Sequence, residues 1–218
     1  MNILSPSILS ADFTILGEEL RTIDEAGSEY IHIDVMDGIF VPSISYGMPV
    51  IKSIRKATKR VFDVHLMITE PERYINEFVE SGADIITFHV EATKEPEKVI
   101  DMIHEKGLKA GISVKPKTPL ETIEPYLEKI DMLLIMSVEP GFGGQAYIEG
   151  STEKIKAARE MVKAHGLETD IQVDGGINLQ NLPEVLEAGA NIIVAGSAVF
   201  KGDAEANTKA FLDIFAKM

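Results

Sequence analysis

The sequence contains no cysteine, few positive charges and no long hydrophobic run. With 0 Cys in 218 residues, disulfide scaffolds, Cys-ligated zinc, iron–sulfur clusters and thiol nucleophiles are excluded, so a metal site would need His, Asp or Glu. Lys and Arg number 21 against 35 Asp and Glu, which gives a formal net charge of −14. Because this negative charge repels phosphate backbones and anionic lipid surfaces, we expect no nucleic-acid partner and no membrane partner.

The lack of a long apolar segment also bears on location. A bilayer span needs roughly 20 apolar residues, and no segment approaches that length. The first residues lack the basic stretch and apolar run of a signal peptide. We therefore expect a soluble cytoplasmic protein. A length of 218 residues suits one α/β barrel domain that spans residues 1–218.

Short runs rich in Ile, Val and Leu alternate with longer segments of helical period along the whole chain. The predicted strands are residues 3–9, 30–35, 62–67, 84–90, 109–114, 132–138, 171–174 and 191–195. The predicted helices are residues 16–26, 48–57, 72–81, 97–106, 120–126, 152–165, 182–188 and 204–216. Strict alternation of strand and helix predicts a (β/α)8 barrel, the TIM-barrel fold of the α/β class.

Glycines support this alternation and argue against the main alternative fold. Gly27, Gly82, Gly107 and Gly189 follow predicted helices, where a left-handed residue ends a helix. The alternative is an open doubly wound sheet of the flavodoxin or Rossmann type. A dinucleotide-binding sheet of this kind places its glycine-rich turn after the first strand, whereas the glycine-rich stretches of this chain come late. We therefore expect the barrel and no dinucleotide cofactor.

Polar residues at the carboxyl ends of the predicted strands are the candidate site residues, because that end of a barrel carries the active site. His32 and Asp34 lie two positions apart on the second strand and so share a face. His65 lies among apolar residues on the third strand, and Asp174 ends the seventh. Each alone is more simply a buried, hydrogen-bonded residue or a helix cap. Together they favour a site for one divalent ion, with Zn²⁺, Fe²⁺, Mn²⁺ or Co²⁺ all suitable.

Three glycine-containing segments follow the last three strands and predict a phosphate-binding site. One glycine turn usually only reverses the chain, but three at neighbouring strand ends would point several backbone N–H groups at one anion. A helix that begins after the eighth strand would add its dipole. The residues of these segments are Gly141, Gly143, Gly144, Gly175, Gly176, Gly196 and Ser197.

Four further residues have competing interpretations. Lys115 ends the fifth strand, and its two interpretations are a Schiff-base lysine of a sugar-phosphate aldolase and an ordinary solvated cation. His89 also ends a strand, as part of the site wall or of a packed core. His104 and His165 lie on helices among charged neighbours, which is typical of surface residues.

Six segments together carry a family resemblance that no single one would carry. They are residues 5–13, 32–38, 63–68, 136–145, 173–176 and 195–200, and they span nearly the whole chain. They resemble the signature segments of the ribulose-phosphate 3-epimerase family. This resemblance implies a metal-dependent (β/α)8 enzyme of the pentose phosphate pathway that interconverts D-ribulose 5-phosphate and D-xylulose 5-phosphate by two-base proton transfer at C3 through an enediolate.

The resemblance also implies roles for individual residues. The metal ligands are His32, Asp34, His65 and Asp174, and the catalytic acid/base pair is Asp34 and Asp174. Sulfur side chains around the reacting carbons, which would otherwise be taken for flexible core filler, fall on Met36, Met67 and Met136. The substrate-binding residues are Ser7, His65, Gly141, Phe142, Gly143, Gly144, Asp174, Gly175, Gly176, Gly196 and Ser197. We expect Zn²⁺ as the first choice of cofactor, a pentulose phosphate as the substrate and a homo-oligomer.

Some positions depart from the family pattern and leave alternatives open. Ile39 and Ser43 stand where the family usually has His and Asn, in the loop after the second strand. The related allulose-6-phosphate 3-epimerases share the core motifs and act on a substrate one carbon longer, so they are the alternative activity. The aldolase through Lys115 and a sugar-phosphate-binding barrel without catalysis are further alternatives.

Overall fold

Eight parallel strands form one sheet in the computed structural model of the protein, which describes residues 1–218. The strands are β1 Ile3–Pro6, β2 Tyr30–Met36, β3 Val61–Met67, β4 Ile85–His89, β5 Lys109–Val114, β6 Met132–Met136, β7 Asp170–Asp174 and β8 Ile192–Ala195. Their order is β1-β8-β7-β6-β5-β4-β3-β2, with parallel pairing throughout. A parallel bridge between Ser7 and His32 joins the two ends of this order. The predicted barrel is therefore confirmed, because the edge strands of an open doubly wound sheet would not meet.

Helices follow the strands around the outside of the barrel. They are α1 Leu16–Glu25, α2 Met48–Ile54, α3 Ile75–Ser81, α4 Pro96–His104, α5 Ser151–Ala164, α6 Leu182–Glu187, α7 Ser197–Phe200 and α8 Ala204–Phe215. The glycines Gly27, Gly82, Gly107 and Gly189 all have positive φ, as the helix-end prediction requires. None of the helices has the length and hydrophobicity of a membrane span.

Two predicted elements are wrong in type or extent. The helix predicted over residues 120–126 is instead a pair of short 3-10 helices, Leu120–Thr122 and Glu124–Lys129. Pro125 explains this, since it lacks an N–H and its ring would clash with the carbonyl four residues earlier in an α-helix. The first strand, predicted to reach residue 9, ends at Pro6, and a 3-10 helix over Ile8–Ser10 follows. The short helix α7 begins directly after β8, earlier than the helix predicted over residues 204–216, and the ends of the remaining elements shift by three residues or fewer.

The barrel separates an apolar outer core from a partly polar interior. Alternate residues of β2, namely Ile31, Ile33 and Val35, belong to the large apolar cluster between strands and helices. Because side chains alternate along a strand, His32 and Asp34 point the other way, into the barrel. At the amino-terminal end of the strands a small apolar layer closes this interior, made of Tyr30, Ile85, Met132 and Ile192. The polar side chains are therefore confined to the middle and the carboxyl end of the barrel.

Candidate active site

The four candidate metal ligands meet inside the barrel near the carboxyl end of the strands. Register on β2 and β3 sets Asp34 directly beside His65, and β7 brings Asp174 to the same point. His65 Nδ1 lies 3.1 Å from Asp34 Oδ1 and 3.7 Å from Asp174 Oδ2, while His32 Nε2 lies 3.3 Å and 3.8 Å from the same two oxygens. One ligand atom from each side chain lies within 4.8 Å of all the others.

Asp63 orients His32, and the sequence analysis missed this residue. His32 Nδ1 lies 2.8 Å from Asp63 Oδ2, which also accepts hydrogen bonds from Ser5 Oγ and Gln172 Nε2. Because Asp63 Oδ2 already accepts these two hydrogen bonds, it acts as an acceptor toward His32 Nδ1 as well and fixes the ring with Nε2 toward the other ligands, where a metal ion could take the place of a proton on Nε2. Asp63 precedes His65 by two residues and shares its strand face, which is the signal that would have found it.

The residues present fit a divalent metal ion. His32 Nε2 is buried and has no hydrogen-bond partner, a costly state for a polar atom. It faces Asp34 and Asp174 in a group of two imidazoles and two carboxylates, a donor set that suits several divalent metals. These side chains could hold one such ion, and the unpartnered nitrogen is the observation that supports it.

Opposite charges in this buried space shift the pKa values of its side chains. Burial lowers the pKa of His32, but Asp34 and Asp63 outweigh burial and raise that pKa well above its usual value. Burial raises the pKa of Asp34, but the charges and hydrogen bonds of His32 and His65 outweigh it and lower that pKa. Burial, followed by the charge of Asp34, raises the pKa of Asp174 to about 6. Asp34 is therefore ionised, whereas Asp174 can gain or lose a proton near neutral pH.

A cavity of about 500 Å³ opens onto these carboxylates from the carboxyl end of the barrel. The predicted residues that line it are Ser7, Asp34, Met36, Met67, Met136, Gly141, Phe142, Gly143, Gly144, Asp174, Gly175, Gly176, Gly196 and Ser197. His65 does not line it, since this fully buried ring lies behind Asp34. The cavity thus brings together the predicted residues except the two histidines, which are positioned to support the carboxylates from behind.

The three methionines form apolar walls beside the carboxylates. Met36 and Met67 pack with Val41, and Met136 packs with Leu134 and Val138. All three methionines are buried and line the cavity. The reacting part of a ligand would therefore lie between ionisable groups on one side and polarisable, water-excluding side chains on the other.

Two glycines of the cavity loops, Gly176 and Gly196, leave no room for a side chain. A Cβ on Gly176 would come 2.3 Å from the backbone N of Tyr147, and one on Gly196 would come 2.6 Å from Ser10 Oγ. Gly176 also has a φ of 68°, a left-handed conformation. Backbone N–H groups can therefore approach a ligand closely here. Lys201, which the sequence analysis did not include, adds one cation to the cavity lining.

The remaining candidates lie away from the cavity. Lys115 Nζ lies 3.9 Å from the centre of the Phe40 ring and does not line the cavity, which argues against a Schiff-base role. His104 pairs with Asp131 at 2.9 Å on the outside of the barrel, and His165 is likewise on the outer surface, 3.6 Å from Glu124. His89 is fully buried behind His65 and does not line the cavity either.

Comparison with known proteins relates this architecture to one family. A sequence model of the ribulose-phosphate 3-epimerase family matches residues 3–200. The chain is 52% identical to the ribulose-phosphate 3-epimerase of Synechocystis sp. over 200 residues, which cover 91% of this chain and 87% of the relative. It is 48% identical to the chloroplastic ribulose-5-phosphate-3-epimerase of Arabidopsis thaliana over 200 residues, which cover 91% of this chain and 71% of the relative.

A solved structure extends the comparison to the fold. Thiamine phosphate pyrophosphorylase from Pyrococcus furiosus matches with a TM-score of 0.69 and 22% identity, covering 99% of this chain and 96% of that chain. At this identity the likeness concerns the barrel alone. The match to the family model and the sequence identities near one half establish the family as well as the fold. The chain belongs to the ribulose-phosphate 3-epimerase family.

Proposed function

We propose that this chain interconverts D-ribulose 5-phosphate and D-xylulose 5-phosphate by two-base proton transfer at C3. The observation that carries the proposal is the pair of carboxylates, Asp34 on β2 and Asp174 on β7, which reach one cavity from strands that are not neighbours. Inversion at C3 needs one group to remove a proton from one face and another to return a proton to the opposite face. A binding protein without catalysis would gain nothing from this pair.

The pKa values suit this division of roles. Asp34 is ionised by its contacts with His32 and His65, so it can take the C3 proton of D-ribulose 5-phosphate. Asp174 lies across the cavity on β7 and can deliver a proton to the other face. Burial and the charge of Asp34 raise its pKa to about 6, which opposes the fall in pKa that a bound cation would cause. Ser7 Oγ donates a hydrogen bond to Asp34 Oδ2 at 2.5 Å and holds this carboxylate in place. The buried methionine walls keep water away from the carbanionic intermediate.

A divalent ion held by His32, Asp34, His65 and Asp174 would supply Lewis-acid stabilisation of the negative charge that develops on the C2 and C3 oxygens. We propose Zn²⁺ as this ion, because imidazole and carboxylate ligands suit it, with Fe²⁺, Mn²⁺ and Co²⁺ as alternatives. Chelation should abolish activity, and added divalent ion should restore it. Full activity in a preparation that elemental analysis finds free of metal would contradict the proposed centre.

The substrate phosphate, we propose, binds to backbone N–H groups of the glycine loops. The contributing residues are Gly143, Gly144, Gly176, Gly196 and Ser197, which line one side of the cavity. Such N–H groups bind an anion without a basic side chain. Phe142, whose side chain is exposed at the same loop, would cover the bound sugar.

The deciding experiment follows both pentulose phosphates by NMR with the purified, metal-loaded chain. Conversion of each into the other supports the proposal, and binding without conversion would favour the sugar-phosphate-binding barrel. Allulose 6-phosphate is the comparison substrate, and a higher kcat/KM for it would assign the alternative epimerase activity. Cleavage to shorter sugars together with borohydride trapping at Lys115 would indicate the aldolase.

The proposal also covers domain organisation, location and oligomeric state. We propose one catalytic domain over residues 1–218, a cytoplasmic location and a homo-oligomeric state. The Arabidopsis relative is named chloroplastic, so location varies among the relatives and needs fractionation of the source cells. Exposed Phe13 and Ile15 side chains beside α1 support self-association, and sedimentation velocity tests it.

A further inference from the structure

A chain of hydrogen bonds runs from His65 away from the cavity. His65 Nε2 lies 2.9 Å from His89 Nε2, and His89 Nδ1 lies 3.3 Å from Glu91 Oε2. Both imidazoles are fully buried. His32 contacts its own carboxylate, Asp63, directly, whereas the outer nitrogen of His65 reaches one only through a second histidine. The ring centres of His65 and His89 lie 5.0 Å apart with an angle of 26° between the ring planes, an edge-to-edge arrangement that suits an in-plane hydrogen bond between the two Nε2 atoms.

Glu91 is anchored on its other oxygen. Glu91 Oε1 accepts hydrogen bonds from the backbone N of Lys115, at 2.9 Å, and from Thr118 Oγ1. Lys154 Nζ in turn donates to the carbonyls of Lys115 and Thr118 at 2.8 and 2.6 Å. The loop after β5 therefore presents fixed donors to Glu91, and the carboxylate is held with Oε2 toward His89.

The proton positions along these hydrogen bonds follow from which groups can donate and which can only accept. Burial raises the pKa of Glu91, but hydrogen bonds from His89, Thr118 and the Lys115 backbone outweigh it and hold that pKa at about 2. As an ionised carboxylate Glu91 only accepts, so His89 carries its proton on Nδ1. A neutral His89 then offers a lone pair on Nε2, and the proton between the two rings must belong to His65 Nε2. His65 Nδ1 contacts Asp34 Oδ1 at 3.1 Å and faces Asp174, so a metal ion bound there would take the place of a proton on Nδ1. With its proton on Nε2, His65 would then offer Nδ1 to the ion as a neutral imidazole.

We propose that Glu91 and His89 are positioning residues that set the tautomer of His65 for metal binding. Their role rests on the metal centre proposed above. Neither residue lines the cavity, so neither touches the substrate. Outer partners of this kind typically change metal affinity by about tenfold to a hundredfold when they are replaced.

The substitution Glu91→Gln should reverse the direction of the hydrogen bonds between residue 91, His89 and His65 rather than merely weaken them. The backbone N–H of Lys115 can only donate, so the amide oxygen of Gln should occupy the position of Oε1. The amide NH₂ then faces His89 Nδ1 and donates to it. His89 would carry its proton on Nε2, which forces the proton of His65 onto Nδ1 and blocks that nitrogen for a metal ion.

Two measurements on the full-length chain test this. Long-range ¹H–¹⁵N correlation spectra of the metal-free and Zn²⁺-loaded protein report the tautomer of each histidine, and competition with a chromogenic chelator gives the Kd for Zn²⁺. We expect Nδ1–H on His89 in the unsubstituted chain, Nε2–H in Glu91→Gln, and a Zn²⁺ affinity at least about tenfold weaker in the variant. At saturating Zn²⁺ the KM for the pentulose phosphate should change little.

Asp131→Asn is the matched control, because Asp131 also contacts a histidine ring and a backbone N–H, at His104 and Ala110, but outside the site. It should leave both readouts unchanged. Thr118→Val, which removes one anchor and keeps the carboxylate, should give an intermediate affinity and serves if Glu91→Gln does not fold. Wild-type affinity in both variants, or Nε2–H on His89 in the unsubstituted chain, would overturn the inference. Failure of the unsubstituted chain to bind any divalent ion would instead overturn the metal centre.

Discussion

Replacement of Asp174 by Asn should separate proton removal from proton delivery. Asn has nearly the same shape and keeps an oxygen that can face a cation, but it cannot act as an acid. Asp34 keeps its contacts with Ser7, His32 and His65 at 2.5, 3.3 and 3.1 Å. The base that takes the C3 proton of D-ribulose 5-phosphate is therefore intact, while the acid for the opposite face is lost.

The two losses should differ in size. A missing general acid or base costs about 10²- to 10⁴-fold in rate, so net epimerisation should fall at least about a hundredfold, or about 2.7 kcal/mol of barrier at 1.36 kcal/mol per tenfold. Exchange of the C3 hydrogen with solvent needs only Asp34. Asp34 stays ionised in this variant, because its low pKa depends on contacts with His32 and His65. The burial that raises the pKa of Asp174 does not contribute to it. Exchange should therefore fall by about tenfold at most.

The assay is ¹H NMR in deuterated water with metal-saturated Asp174→Asn, whose metal content is checked by elemental analysis. D-ribulose 5-phosphate should become deuterated at C3 faster than D-xylulose 5-phosphate appears. Asp34→Asn provides the mirror control, since it should exchange C3 of D-xylulose 5-phosphate but not of D-ribulose 5-phosphate. Equal losses of exchange and epimerisation in metal-loaded Asp174→Asn would refute the two-base assignment and favour one carboxylate that serves both faces.

Three further predictions concern the phosphate loops and the stability of the fold. Gly196→Val should raise KM for phosphorylated ligands because the new side chain blocks approach to the backbone N–H groups, and unchanged KM and inhibition constants would contradict this placement of the phosphate. Lys201→Met should raise KM about two- to tenfold at low ionic strength with little change in kcat, and the difference should vanish in high salt if the contribution is a screened charge; a salt-independent effect would argue against it. Burial raises the pKa of Asp24, but hydrogen bonds from Thr58 and Arg60 and the Arg60 charge outweigh burial and lower it. This carboxylate thus contributes stability above its unfolded pKa, which is lost as the pH falls through its lowered folded value. Asp24→Asn should cost about 1 kcal/mol of unfolding free energy at pH 7 and progressively less toward pH 2 in urea titrations, and an equal cost at both pH values would contradict the linkage.

The alternation of apolar runs and helical segments determined the barrel, because each pattern can bury its apolar face in only one kind of element. The period of two along a strand likewise determined that His32 and Asp34 share a face. Since parallel strands end at the same edge, the sequence also indicated that Asp34, His65 and Asp174 would come together, and the structure brings them within 4.8 Å with His32. Gly82 and Gly189 fall where helices end because only glycine readily adopts positive φ there.

Only the tertiary structure decided what lies behind these ligands. Gln172 reaches Asp63 across 109 positions of sequence, and the contact between His65 and His89 depends on the pairing register of β3 with β4. No local pattern reports such contacts, because a propensity acts over a few residues whereas strand register is set by the closure of the whole barrel. The same limit applies to His65, whose ring lies behind Asp34. Residues on the interior face of a barrel share a direction, and the packing of neighbouring strands decides which of them line the cavity.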